Sequence, residues 1–301
     1  MTQTTDTLGA RMERELASQP EMWARAAGET EQLALLPQPG DRVAVVGCGT
    51  SWFMAQSYSV LREAAGHGVT DAFAASETPL ATREYDAVIA LSRSGTTTEV
   101  LELVEALRAR VRVIGIVGDA ATSLVDLAHE TIALPYADET SVVQTRFATS
   151  ALALLRASLG HDLSVAIADA AAVIDAPIDE TLVGAEQFSF LGRGWTVGLA
   201  HEAALKMREA SQSWTESYAA MEYRHGPISI AAPGRVTWMI GDAPDGLATD
   251  VAATGGRFES AAVEPMAELV RAQRVALARA RARGLDADVP RNLTRSVILG
   301  A

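Results

Sequence analysis

The sequence predicts an α/β protein made of two related halves, each with a parallel sheet covered by helices. Short, continuously apolar segments such as Val43–Gly47 are separated by longer amphipathic ones, as in parallel sheets that are buried on both faces. An apolar segment followed by a Gly-x-Gly turn occurs twice, and the first glycines of the two turns, Gly47 and Gly192, lie 145 positions apart (192 minus 47). That spacing indicates two related units rather than a short-period solenoid. Few elements follow the second turn, so we expect the second half to be shortened.

In the first half, helical and apolar segments alternate. A helical segment comes first, at roughly Leu8 to Leu36, and continuous apolar segments then predict buried strands. These strands are Val43–Gly47, Asp86–Ser92, Val111–Val117 and the shorter Thr131–Leu134. Helical periodicity marks Ser51–Ala65, Thr97–Arg110 and an alanine-rich stretch, Ala151–Ala172.

The second half has fewer elements. Phe188–Gly194 repeats the pattern of a strand followed by a Gly-x-Gly turn, and Val236–Ile240 and Gly256–Val263 are further strand candidates. The final helix, Met266–Arg283, alternates arginine with alanine and valine and is predicted to lie on the surface. The predicted organisation is a helical leader at 1–40, a first half at 41–175, a second half at 180–285 and a C-terminal tail at 286–301 that covers the site. The linker between the halves surrounds Pro177.

Composition excludes several classes of protein. With a net charge of -13, the chain is unsuited to nonspecific binding of nucleic acid or of an anionic membrane. No apolar stretch is as long as a membrane span, and the polar start lacks the pattern of a secretory signal, so a cytoplasmic location is expected. Cys48 is the single cysteine, which rules out an intrachain disulfide framework or a cysteine metal cage. We expect neither a metal nor a cofactor.

Two loops of the first half have the composition of anion sites. Leu91–Glu99 joins a strand to a helix, and the segment Ser92–Thr97 within it carries four hydroxyl residues together with Gly95 and Arg93. Free backbone N–H groups and the positive end of a helix dipole meet at such a junction. Serine and threonine also cap helices, but the density of hydroxyls favours phosphate binding about two to one over capping alone. Gly47–Ser51 is a second loop of this type, although Trp52 leaves the dinucleotide fingerprint incomplete.

A group of charged residues lies on the helix predicted after the second Gly-x-Gly turn. Glu202, Lys206 and Glu209 are spaced i, i+4 and i+7, which places them on one face. Spacing alone slightly favours a solvated face with ordinary ion pairs. The position of the helix after a buried strand, however, puts its first turns over the carboxyl edge of the sheet, where active sites of such folds lie. A carboxylate beside a lysine in a partly desolvated cleft can act as a proton-transfer base.

His225 precedes Gly226 and Pro227 and is therefore expected on a rigid turn. A histidine can shuttle protons near neutral pH, which makes this one a catalytic candidate. Lone surface histidines are common, so the turn by itself is weak evidence.

Taken together, these clusters resemble the sugar isomerase (SIS) family, in particular the isomerase half of glucosamine-6-phosphate synthase and the stand-alone amino-sugar-phosphate deaminases and isomerases. The resemblance implies two tandem SIS-type, Rossmann-like halves and runs in the same order from about Val43 to Val297. It rests on two phosphate loops (Cys48–Ser51 and Ser92–Thr97), a catalytic helix (Ala203–Glu209), a ring-opening histidine turn (Arg224–Pro227) and a C-terminal segment (Asp286–Val297).

The resemblance also implies roles for individual residues. The phosphate would be held by Ser51 and its neighbour Thr50 and by Ser92, Ser94 and Thr97, while Arg93 stands where the synthase has glutamine. Glu209 matches the general base that moves a proton at sugar carbons 1 and 2, with Lys206 and Glu202 beside it. His225 matches a ring-opening histidine that reaches in from a neighbouring subunit, which implies a homodimer with shared sites. Glu139 matches an acidic position that lines the pocket.

Departures from the family pattern narrow the chemistry. The sequence has no glutaminase domain and no N-terminal nucleophilic cysteine, so glutamine-dependent amino transfer is not expected. Arg295 replaces the tail lysine that forms a Schiff base in the synthase, and an arginine that stays protonated cannot be that nucleophile.

The expected substrate is a hexosamine 6-phosphate that is deprotonated at carbon 2, and three outcomes stay open. The first is isomerisation or deamination of glucosamine 6-phosphate to fructose 6-phosphate. The second is dehydration of N-acetylglucosamine 6-phosphate, a lyase reaction that expels the carbon 3 hydroxyl. The third is a sugar-phosphate sensor without catalytic activity, and the presence of Glu209, Lys206 and His225 together counts against it.

Overall fold

A computed structural model describes residues 7–300 and contains two parallel β-sheets with helices between and around them. Residues 1–6 of the predicted leader and residue 301 of the predicted tail lie outside the described residues. The strands are β1 (Val43–Gly47), β2 (Thr70–Ala74), β3 (Ala87–Ser92), β4 (Arg112–Val117), β5 (Glu130–Ala133), β6 (Gln187–Gly192), β7 (Thr215–Ala219), β8 (Arg235–Ile240) and β9 (Arg257–Glu259).

The helices connect these strands and fill the space between the sheets. In chain order they are α1 (Ala10–Ala17), α2 (Gln19–Ala27), α3 (Thr30–Leu33), α4 (Thr50–Ala64), α5 (Thr98–Leu107), α6 (Ser123–Leu127), α7 (Arg146–Ala157), α8 (Ser164–Asp175), α9 (Glu180–Val183), α10 (Thr196–Ser211), α11 (Leu247–Ala253) and α12 (Pro265–Ala282). No helix within 7–300 combines the length and the apolar character that a membrane span requires.

The two sheets share an order of strands. The first is β2-β1-β3-β4-β5 and the second is β7-β6-β8-β9, so the second repeats four positions of the first and ends one strand earlier. All pairings are parallel, as the continuous apolar segments predict. The edge strands β2 and β7 have no predicted counterpart, because both are only partly buried and lack a continuous apolar run.

The largest hydrophobic core lies between the sheets. One face of β1 and β3 and one face of β6 and β8 pack against a shared layer of helices that includes α2, α7, α10 and α12. The outer faces of the sheets have smaller cores of their own. The predicted leader belongs to the central layer: Trp23 is fully buried, and its Nε1–H donates to Thr149 Oγ1 at 2.9 Å.

The prediction of a surface helix at Met266–Arg283 is wrong. Helix α12 is a core element, and Arg279 on it is fully buried. Its guanidinium donates to the carbonyl of Leu182 at 3.1 Å and to Ser213 Oγ and lies 4.8 Å from the ring centroid of Phe188. The alternation of arginine with small residues does not reveal that the helix is buried, because the hydrogen-bond partners of Arg279 are distant in sequence.

The single helix predicted at Ala151–Ala172 is two helices. Helix α7 ends at Ala157, and the chain turns at Gly160, whose φ is 77°, before α8 begins at Ser164. A positive φ is unstrained for glycine, so the helix ends there despite the helix-forming composition around it.

Helices α4 and α10, which belong to the first and second halves, are in close backbone contact. A Cβ atom at Gly198 would lie 2.3 Å from the carbonyl oxygen of Phe53 and 2.4 Å from Ser57 Oγ. Glycine therefore allows the two helix backbones to meet. Since α4 starts at one predicted phosphate loop and α10 carries the charged face, this contact fixes the distance between them.

We expect Gly198→Ala to lower the free energy of unfolding by roughly 1–3 kcal/mol, because the added methyl group overlaps backbone of α4. Without that overlap, alanine would stabilise a helix relative to glycine. Gly28→Ala is the control, since the nearest atom to its Cβ would be the carbonyl oxygen of Arg25 at 3.5 Å and its φ is −89°. Urea denaturation measures both variants; a Gly198→Ala protein as stable as the control would contradict the close contact.

Candidate functional site

A cavity of about 200 Å³ lies where the carboxyl ends of β1 and β3 meet α10 and the C-terminal tail. Nine of the twelve predicted site residues line it, and three do not. The nine are Thr50, Ser51, Ser92, Arg93, Ser94, Thr97, Lys206, Glu209 and Arg295. A larger groove of about 500 Å³ lies at the opposite, amino ends of the strands and contains none of the twelve. The cavity position agrees with the rule that parallel sheets bind ligands beyond the carboxyl ends of their strands.

In the Ser92–Thr97 loop, Ser92 and Ser94 accept hydrogen bonds from backbone N–H groups of the turn itself, those of Gly95 and Thr96, whereas Thr97 does not cap the helix that follows. Thr97 is the residue before α5, and its side chain makes no capping hydrogen bond. Gly95 has a φ of 60°, and a Cβ there would lie 2.0 Å from Thr122 Oγ1, so the turn needs glycine. The capping explanation of this loop therefore fails for Thr97, whose hydroxyl is directed to the tail and the cavity wall.

Arg93 lines the cavity, but part of its guanidinium is hydrogen-bonded to backbone carbonyl groups. Nη1 donates to the carbonyl of Ser141 at 3.0 Å and Nη2 to the carbonyl of Arg295 at 2.8 Å. The residue is 6% exposed, and its Nε–H has no partner among the described residues. Arg93 thus adds positive potential to the cavity while it fastens the tail, a role that its place in the loop did not indicate.

The charged face of α10 is buried rather than solvated. Lys206 bonds to the carboxylate of Glu209 and lies 3.7 Å from Glu202 Oε1, while the Lys206 side chain is 1% exposed. Burial lowers the pKa of Lys206, but the Glu202 and Glu209 carboxylates outweigh it, so the net shift of that pKa is upward. Lys206 is therefore a buried cation held by two acids.

The two acids differ in their access to the cavity. Glu209 has a side chain 19% exposed and lines the cavity, whereas Glu202 is fully buried and does not. Burial, opposed by the Lys206 ammonium, raises the pKa of Glu202 to about 8, and neither carboxylate oxygen has a hydrogen-bond partner within 7–300. Near neutral pH the proton therefore resides mainly on Glu202, and Lys206 forms a one-to-one ion pair with Glu209.

Glu139, predicted to line the pocket, does not. It is fully buried, and its carboxylate accepts hydrogen bonds from the backbone N–H groups of Thr145, Arg146 and Phe147 at 2.6–3.0 Å. Those groups are the unpaired donors at the start of α7, and an anion is favoured there. The carboxylate is used to hold that helix rather than to contact a ligand.

His225 and Arg295 complete the predicted set. His225 is exposed on a short turn, Tyr223–His225, and is absent from the cavity of its own chain. Arg295 lines the cavity, yet its guanidinium reaches both carboxylate oxygens of Asp138 at 2.7 Å and the carbonyl of Glu139. It anchors the tail and offers no free amine.

Several cavity residues were not singled out by sequence. Gln144 and Ser296 are polar, Cys48 carries a thiol, and Val142 and Leu205 are apolar. Burial, together with Glu99, raises the pKa of the Cys48 thiol, which keeps it protonated and unreactive near neutral pH. Ser296 lies in a tail that only a resemblance marked as part of the site, and no local pattern distinguishes it. No group of three or more histidine, cysteine, aspartate or glutamate side chains in the described part of the chain could hold a metal ion.

Comparison of the sequence with known proteins gives a consistent result. The model of the SIS domain matches residues 36–159. Glutamine–fructose-6-phosphate aminotransferase (isomerizing) from Gloeobacter violaceus is 30% identical over 85% of this chain and 52% of its own length. The protein of the same name from Aeropyrum pernix is 29% identical over 95% of this chain and 57% of its own length. The chain thus spans about half the length of these curated relatives.

Solved structures show the same fold over nearly the whole chain. Glucosamine-6-phosphate deaminase from Thermotoga maritima superposes with a TM-score of 0.80 at 23% identity, covering 95% of this chain and 99% of that one. Tagatose-6-phosphate ketose/aldose isomerase from Escherichia coli superposes with a TM-score of 0.78 at 18% identity, covering 96% of each chain.

The raised pKa of Glu202 predicts a specific pH dependence of stability. The folded protein keeps a proton on Glu202 that the unfolded chain, with an ordinary pKa near 4.5, has released. The stability from this group is complete below that pH and is lost as the pH rises through about 8. Between about pH 5 and pH 8, wild type should therefore lose roughly 1–3 kcal/mol more stability than Glu202→Gln, which has no such proton.

Urea denaturation at the two pH values measures this difference. Glu222→Gln, at an exposed position on the protein surface, is the matched control and should follow wild type. Parallel pH dependence in wild type and Glu202→Gln would show that Glu202 is ionised in the folded protein.

Proposed function

Since the chain carries a SIS domain over residues 36–159, we propose that it is an enzyme of sugar-phosphate chemistry that acts on a hexosamine 6-phosphate. One observation carries the proposal: a hydroxyl-rich loop and a lysine–glutamate pair face one cavity. The loop has the composition of a phosphate site, and the pair has that of a proton-transfer site. A phosphorylated substrate could occupy both at once.

The phosphate would lie between the first turns of α4 and α5. Ser51, Ser92, Ser94 and Thr97 offer hydroxyl donors there, and the positive ends of two helix dipoles add to the buried charge of Arg93. This arrangement also suits a protein with a net charge of −13, because the positive potential is local.

Glu209 is the proposed general base that removes the proton from carbon 2. Of the two acids beside Lys206, it is the one that lines the cavity. Lys206 pairs with it and would move toward the developing negative charge on the sugar, which is stabilised in a desolvated site. Glu202, protonated and buried, keeps the local charge balanced and is a positioning residue.

The architecture supports a description as two tandem SIS-type, Rossmann-like halves, with the second half shortened. Sheet orders β2-β1-β3-β4 and β7-β6-β8-β9 correspond strand by strand, and β5 has no counterpart within 7–300. In this proposal α4 and α10 occupy equivalent places, each after the first strand of its half.

The leading reaction is isomerisation and deamination of glucosamine 6-phosphate to fructose 6-phosphate. Proton transfer from carbon 2 to carbon 1 gives the ketose imine, and hydrolysis then releases ammonia. Such a sequence needs one base that can give back its proton, which the Glu209–Lys206 pair supplies. Transfer from glutamine forms no part of the proposal, since Arg295 is fastened to Asp138 and has no free amine.

Dehydration of N-acetylglucosamine 6-phosphate is the second candidate, and the lining of the cavity favours it. Val142, Leu205 and Leu293 are apolar wall residues that could contact an acetyl methyl group. A free amine on carbon 2 would be protonated and would lie close to the Lys206 ammonium, whereas an amide avoids that repulsion. Once carbon 2 is deprotonated, the carbon 3 hydroxyl leaves in place of the nitrogen.

We also propose a homodimer in which His225 serves the site of the other subunit. His225 is exposed and lies outside the cavity of its own chain, yet histidine is suited to ring opening by proton transfer. Nearby Met221 is 50% exposed, as expected for a surface that a second copy would cover.

The purified protein should turn over one of two sugars, glucosamine 6-phosphate or its N-acetyl form. Ammonia with fructose 6-phosphate from the free amine would support the leading reaction. A rise in ultraviolet absorbance without ammonia from the N-acetyl sugar would support dehydration. If the protein binds both sugars and converts neither, it is a sensor rather than an enzyme.

The Glu209→Gln variant tests the base in whichever reaction occurs. Glutamine keeps the shape of the side chain but cannot accept the proton, so kcat should fall by roughly a hundredfold to ten-thousandfold. Exchange of the carbon 2 hydrogen with deuterated water should disappear as well. Glu84→Gln, exposed in the groove at the amino ends of the strands, is the control. Exchange that persists without turnover would move Glu209 to a later step.

Two inactive variants should restore activity when they are combined in one dimer. His225→Asn and Glu209→Gln change different residues. If each site takes His225 from one subunit and Glu209 from the other, one of the two sites in a mixed dimer has both residues intact. Random assembly would then recover about a quarter of the wild-type activity, because about half of the dimers are mixed. Co-expression with two affinity tags provides the material. Purified mixed dimers without activity would place His225 and Glu209 in the same chain's site, and a fully active His225→Asn protein would place His225 outside catalysis.

A further inference from the structure

The C-terminal tail is held at its start by hydrogen bonds to the beginning of α1. The Asp288 carboxylate accepts from the N–H groups of Arg11 and Met12 at 2.8 Å, at the beginning of α1. The Asp286 carboxylate accepts from the N–H of Gly9 at 2.9 Å. Two carboxylates thus pair with the free N–H groups of this helix end, so the path of the tail toward the cavity begins from a fixed point.

Further along, the tail is hydrogen-bonded to the loop that we propose to hold the phosphate. Arg93 Nη2 donates to the carbonyl of Arg295 at 2.8 Å, and the N–H of Thr98 donates to the carbonyl of Val297 at 3.2 Å. The N–H of Leu299 returns a hydrogen bond to Thr98 Oγ1 at 3.0 Å. These contacts flank Ser296 on both sides and leave its side chain little freedom.

Ser296 is the least exposed residue between 291 and 300, and its hydroxyl meets three others. Its Oγ lies 3.1 Å from Ser94 Oγ, 3.0 Å from Thr96 Oγ1 and 3.4 Å from Thr97 Oγ1. Each hydroxyl can donate one proton and accept two. Ser94, Thr97 and Ser296 line the cavity, so these three hydroxyls beside a buried guanidinium can turn their protons toward one bound anion, while Thr96 donates to Ser296 from behind them.

We propose that Ser296 is a phosphate ligand delivered by the tail, so that closure of residues 293–299 and binding of the phosphate stabilise each other. The proposal rests on the phosphate site assigned above and adds a donor to it from a distant part of the chain. Coupling of this kind is reciprocal: if the closed tail tightens phosphate binding by some factor, phosphate holds the tail closed by the same factor.

The ligand used for the test is inorganic phosphate, and the measurement is its dissociation constant by calorimetry. Ser296→Ala should weaken binding roughly tenfold or more, as expected for the loss of one hydrogen bond to a charged group. Ser296→Thr keeps the hydroxyl and should bind nearly as wild type does. Ser229→Ala removes an exposed hydroxyl outside the cavity and is the matched control.

Hydrogen exchange provides a readout that simple loss of folding would not produce. The amides of Thr98 and Leu299 report on the closed tail, because both bond across the contact between tail and loop. Phosphate should slow their exchange in wild type and much less in Ser296→Ala. Faster exchange with phosphate, or tighter phosphate binding by Ser296→Ala, would mean that the tail competes with the anion, and the proposal would be overturned.

The remaining outcomes separate this proposal from the proposed function. Suppose that wild type binds phosphate, that Ser94→Ala does not, and that Ser296→Ala binds it as tightly as Ser229→Ala does. The phosphate site then stands, and Ser296 has no part in it. If wild type binds no phosphate, both the site and the role of Ser296 are wrong.

Discussion

The contact between α4 and α10 is the constraint on which the rest of the site depends. A side chain at Gly198 would overlap the carbonyl oxygen of Phe53, so the two helices approach as closely as their backbones allow. Helix α4 carries the Gly49–Ser51 loop at its start, and α10 carries Lys206 about two turns and Glu209 about three turns of helix from Gly198. Packing two helices in this way sets the distance between the proposed phosphate site and the proposed proton-transfer site, which lie at different sheets.

The charges around the cavity are balanced by protonation and pairing of buried groups rather than by solvent. Lys206 has two carboxylate neighbours, and because burial raises the pKa of Glu202 to about 8, only one of the two neighbours is ionised near neutral pH. Arg93 is likewise buried and donates to the carbonyl oxygens of Ser141 and Arg295, while its Nε–H has no partner among the described residues. Buried charges with few hydrogen-bond partners cost stability unless they are paired, so their presence together at one cavity is typical of a functional site.

The loop from Ser92 to Thr97 and the C-terminal tail form one polar unit. Ser94, Thr96 and Thr97 contact the hydroxyl of Ser296, and Arg93 holds the tail backbone. Residues about 200 positions apart in the sequence therefore depend on one another for their geometry. Such a unit can couple ligand binding to the position of the tail without any change in the two sheets.

The sequence by itself determined the α/β class, the buried strands and the loops at their carboxyl ends, because hydrophobic periodicity and glycine turns act locally. Six of the nine predicted cavity residues lie in two loops that parallel strands bring to one edge, and Lys206 and Glu209 lie on the helix after the second Gly-x-Gly turn. Arg295 was predicted only through the family resemblance. Tertiary structure decided the rest. Glu139 is bound at the start of α7, Glu202 is buried behind the cavity, His225 faces outward, and α12 is a core helix. Each of these depends on partners distant in the chain, and a local pattern carries no information about which distant atom will satisfy a buried charge or donor.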